Sequence, residues 1–141
     1  MEERYSFHSG TPFPEACEYV RSVFFKKMRA EVWAIGRFPP ITNKNEADRF
    51  MMTDMLKGDE ILTVLVEHAP QGGCYVTAMF RLRNANKIAM GCVATLVTCG
   101  LGALIAGPFL YFDYRGWKKH WHAAVAILKS DFCPDHPSIR L

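Results

Sequence analysis

Apolar and polar residues alternate over several short stretches of the chain and recur at helical spacing over others. Arg4 to His8 alternates and predicts a first strand, closed by a turn at Ser9-Gly10-Thr11-Pro12. A helix is expected from Pro14 to Arg29. Cys17, Val20, Phe24 and Met28 fall on one face, with Thr11 as cap and Pro12 and Glu15 in the first turn. Glu31 to Phe38 alternates weakly and reads as a strand stopped by Pro39-Pro40. Ile41 to Asn45 reads as a loop, and Glu46 to Leu56 as a short helix carrying Phe50, Met51 and Met55. Ile61 to His68 and Cys74 to Arg83 are rich in Ile, Val, Leu and Thr and predict two strands joined as a hairpin through Pro70 to Gly73.

A different pattern follows. Ile88 to Phe112 contains no charged residue. At 1.5 Å per residue such a run reaches about 37 Å, enough to cross a hydrocarbon core of roughly 30 Å with some tilt. Charges bracket it, and Tyr111, Tyr114, Trp117 and Trp121 gather at its exit beside Lys118 and Lys119. That clustering matches the aromatic belt of a membrane interface. Gly91, Thr95, Thr98, Gly102 and Ala106 follow at spacings of three and four, so they share a face on which another helix can approach closely. Ile88 to Phe112 is therefore read as a transmembrane helix. The rival readings are a buried core helix interrupted at Gly100, Gly102, Gly107 and Pro108, and a re-entrant hairpin turning near Cys99 to Gly102. Beyond it, Asp113 to Lys129 predicts an amphipathic helix. Its stripe of Trp117, Trp121, Ala124 and Leu128 is expected to pack on the sheet with partial contact at the membrane interface. The last residues, with two prolines, read as an extended tail.

The expected architecture is α+β: a small antiparallel sheet with two helices, one apolar transmembrane-type helix and a C-terminal amphipathic helix. Its divisions fall at residues 1–87, 88–112 and 113–141. Composition agrees with a folded domain, since half the residues are hydrophobic and 13% are aromatic. A net charge of +3 from scattered lysines and arginines gives no basic stripe, so nucleic acid is not an expected partner. The N-terminus has no basic region followed by an apolar run, so no secretory signal is read there. Five cysteines at irregular spacing, an odd number, point to reduced thiols rather than a disulfide framework.

Few residues suggest chemistry. His120, His122, Cys133 and His136 are zinc-ligating types, but histidines two apart do not share a helix face. Cys74 and His68 come together if the hairpin closes, yet no orienting group or oxyanion motif accompanies them. No phosphate-binding or metalloprotease motif is present. No cofactor or catalytic residue is assigned. The expectation is an accessory or scaffolding subunit of a membrane complex. It would meet other membrane subunits, or a second copy of itself, through the apolar helix, with membrane lipids as further partners. A peripheral lipid-binding module using Trp117, Trp121, Lys118 and Lys119 is the alternative. A thiol- or metal-dependent enzyme comes behind both.

Overall fold

The computed structural model describes residues 2–32, 39–56, 60–82 and 101–132, with side chains described except at 31–32, 56 and 101–114. Five strands form one antiparallel sheet: β1 (Glu2–Ser9), β2 (Ile41–Asn45), β3 (Arg49–Leu56), β4 (Glu60–His68) and β5 (Cys74–Leu82). Their order is β1-β5-β4-β3-β2, so the first strand closes onto the last. Between β1 and β2 runs a helical stretch made of α1 (Phe13–Tyr19), a π-helical turn (Val20–Phe24) and α2 (Phe25–Val32). After β5 comes α3 (Leu101–Phe132).

Period-two burial explains the sheet. In β4, Glu60, Leu62, Val64 and Val66 point inward, and the residues between them stay partly exposed. In β5 the inward set is Cys74, Val76, Ala78 and Phe80, and in β3 it is Phe50, Met52 and Asp54. The described helices pack on this inner face. Val20, Phe24 and Met28 from the first helical stretch meet it, as do Trp117, Trp121, Ala124 and Leu128 from α3. Phe80 lies 5.7 and 6.0 Å from the Trp117 and Trp121 rings. Aromatic pairs of this kind add about 0.5–1.5 kcal/mol each beyond their buried area. Within the π-turn the ladder shifts by one residue, and the Ser22 hydroxyl donates to the Glu18 carbonyl at 2.7 Å.

The β4–β5 hairpin closes through Ala69 to Gly73, where Gly72 and Gly73 hold φ of 98° and 77°. The end of β1 lies against this turn. A Cβ on Gly73 would sit 2.1 Å from the Ser9 carbonyl oxygen, so only glycine fits there. His8 Nε2 donates to the Gly72 carbonyl at 2.9 Å.

Several expectations are corrected. The transmembrane helix is withdrawn, because no described helix is long and apolar enough to cross a membrane. Residues 88–100 lie outside the described residues. Residues 101–112 are the opening turns of α3, which passes Pro108 and continues unbroken into its charged half. The fold is α+β with five antiparallel strands, and no spanning helix is counted among its described elements. The expected helix over Glu46 to Leu56 and the loop over Ile41 to Asn45 are instead two strands, β3 and β2, paired with each other. Met and Leu favour helix in isolation, but the cross-strand partners of β3 on both sides override that preference. Glu31 and Val32 end α2 rather than open a strand, and residues 33–38 of that expected strand lie outside the described residues. The helix cap is Pro12, without a side-chain bond, and the Thr11 hydroxyl instead accepts from Ser9.

Candidate docking surface

With the helices gathered on the inner face, the alternate strand positions form an outer face that no described helix covers. The register lays it out in rows. One row runs Ser6, Thr77, Leu65, Met51 and Lys44, and the next Arg4, Met79, Thr63, Thr53 and Ile41. A third holds Glu2, Arg81, Ile61 and Met55, and the fourth His8, Tyr75, Glu67 and Arg49. Met51, Met55, Ile61, Leu65 and Met79 form a partly exposed apolar stripe on the three central strands. Ile41, on the β2 edge, is 56% exposed.

The polar atoms within this stripe already satisfy one another. Thr53 and Thr63 share a hydrogen bond of 2.9 Å across β3 and β4, and Ser6 and Thr77 share one of 2.8 Å across β1 and β5. A hydroxyl covered without a partner costs roughly 1–3 kcal/mol, so these pairings lower the penalty for excluding water from the face. Ion pairs sit at three places on the rim, one of them Lys44 with Glu46 at 3.5 Å. Arg49 reaches Glu67 at 2.6 Å, and Arg81 stands 3.7 Å from Glu2. Methionine side chains adapt their shape to what they meet, which suits a contact surface.

The inner face carries a separate polar group. Asp54 is fully buried and accepts two bonds from Arg29, from Nε at 2.8 Å and from an Nη at 2.6 Å. The hydrogen bond to Asp54 pushes Arg29 further above its ordinary range, outweighing burial. Glu60, diagonal to Asp54 across β3 and β4, accepts from His120 Nδ1 of α3 at 2.6 Å. Asp131, near the end of α3, accepts from Lys27 at 2.6 Å and also from the Tyr19 hydroxyl. Burial alone would raise Asp131, but the bonds from Lys27 and Tyr19, with the Lys27 charge, hold its carboxyl below the usual range. Each carboxylate ties a helix to the fold, and Asp131 also lines an open cleft with Lys27, Ala123, Ile127 and Ser130.

The residues singled out by sequence fall in varied places. Trp117 and Trp121 are 1% and 8% exposed and are spent on the sheet, so they present no aromatic belt. Lys118 and Lys119 are exposed on α3. Gly102, Ala106, Tyr111 and Tyr114 lie in the earlier turns of α3, while Gly91, Thr95 and Thr98 lie outside the described residues. His120 pairs with Glu60, and His122 is exposed beside it. Cys133 and His136 lie outside the described residues, and among those described no three ligating side chains gather to hold a metal. His68 and Cys74 do stand opposite each other in the hairpin. The Cys74 thiol is nonetheless fully buried. Desolvation, with Cys17 nearby, pushes it up to about 11, which is the reverse of an activated nucleophile.

Sequence reasoning missed Asp54, Glu60 and the outer stripe. The signal was present only once β3 is known to be a strand, because alternation then sends Asp54 inward and Met51, Thr53 and Met55 outward.

No protein-family model and no curated protein matches the chain. Among solved structures it is similar to DR_A0006 from Deinococcus radiodurans, at 14% identity and a TM-score of 0.39, covering 72% of this chain and 98% of that one. It is also similar to CalU16 from Micromonospora echinospora, at 15% identity and a TM-score of 0.31, covering 92% and 86%. Likenesses this distant carry no functional argument.

Proposed function

We propose that this protein is a non-catalytic accessory or scaffolding subunit that docks another protein on the outer face of its sheet. The observation that carries this reading is the stripe of Met51, Met55, Ile61, Leu65 and Met79, with its hydroxyls paired among themselves and its charges confined to the rim. Apolar patches of a few hundred Å² rimmed by polar residues commonly mark interaction sites. The buried carboxylates have a structural use, holding α2 and α3 in place. The lipid-binding alternative loses its two tryptophans to the core.

The test is a photo-crosslinking side chain placed at Met79 or Thr63 in the full chain, with Glu18 on α1 as control. The expected result is one discrete intermolecular adduct from the sheet positions, identified by mass spectrometry. It should be absent from Glu18 and abolished by Leu65→Glu in a chain whose circular dichroism is unchanged. Adducts found only within the chain would show that the protein covers its own face, and the reading would fall.

A further inference from the structure

We draw no further inference here: the strongest candidate, the outer edge of β1, which pairs with β5 alone among the described strands, carries nothing because nothing in the structure shows what covers it.

Discussion

Replacing Arg29 with Met tests how the inner face is held together. Asp54 is wholly inaccessible to water, whereas the Arg29 side chain is 28% exposed. Arg29→Met removes both of these bonds to the carboxylate and leaves a charge with no route to solvent. Breaking a buried pair in this way costs roughly 3–5 kcal/mol. The partial exposure of Arg29 admits some water to the site, so the lower end, about 3 kcal/mol, is expected. That is a large share of the roughly 5–15 kcal/mol that holds a domain folded, and it corresponds to a drop of about 10 °C in Tm for a chain of this size. The reverse change should be milder, because in Asp54→Asn the guanidinium left behind can turn toward water. The double change Arg29→Met/Asp54→Leu, which removes both charges and keeps apolar volume, should recover to within about 1 kcal/mol of the starting protein. Urea unfolding followed by far-ultraviolet circular dichroism measures all four. The reasoning is refuted if Arg29→Met costs under about 1 kcal/mol, or if the double variant is no more stable than the single one.

Other expectations are as definite. Gly73→Ala should destabilise by several kcal/mol, or prevent folding, since its Cβ meets the Ser9 carbonyl at 2.1 Å; Gly72→Ala, with open space around it, should cost only about 1–3 kcal/mol of backbone strain. Thermal melts of the two variants side by side check the difference. Asp131 has a folded pKa below its unfolded value of about 3.9, so its contribution to stability is present above that value and is lost as pH falls through the folded one. Asp131→Asn should therefore be the less stable chain at pH 7, and its unfolding free energy should converge with that of the unchanged protein toward pH 2. With Cys92, Cys99 and Cys133 changed to Ser, the buried Cys17 and Cys74 should resist alkylation at pH 8 and both react once urea is added. A thiol at about 11 is only about one-thousandth thiolate at that pH. Rapid labelling of Cys74 in the folded chain would contradict its placement.

What the sequence disclosed followed the strength of its local patterns. β4 and β5 were legible because Ile61 to Val66 and Cys74 to Phe80 are rich in β-favouring residues and are joined by a turn with two glycines. The helix after β1 was legible from Cys17, Val20, Phe24 and Met28, although nothing local announced its π-turn. β3 was not legible, because Met51, Met52, Met55 and Leu56 favour helix in isolation and become strand only between two partners. β2, with Ile41 as its only apolar residue and every position exposed, carries no pattern of its own. The stripe on α3 was read correctly as a stripe. A stripe does not by itself say what it faces: packing on the sheet with partial contact at a membrane interface was expected, and Trp117 and Trp121 are both buried against the sheet. The pair of Glu60 with His120 joins residues sixty positions apart and leaves no local trace.

The strand order also sets a schedule for biosynthesis. β1 is made first, but its pairing partner β5 ends at Leu82. At about 5–20 residues per second, the ribosome takes roughly 4–15 seconds to add the intervening stretch. Throughout that interval the first strand has no mate. β3, β4 and β5, whose connections are short, can zip together as soon as they emerge, while the join between β1 and β5 must close a loop of nearly half the chain. The nascent chain therefore passes through a stage in which the meander is formed, the β5 edge is open and β1 is waiting. That stage is where a chaperone would engage it, and where one chain's first strand can capture another chain's β5 and yield a domain-swapped product.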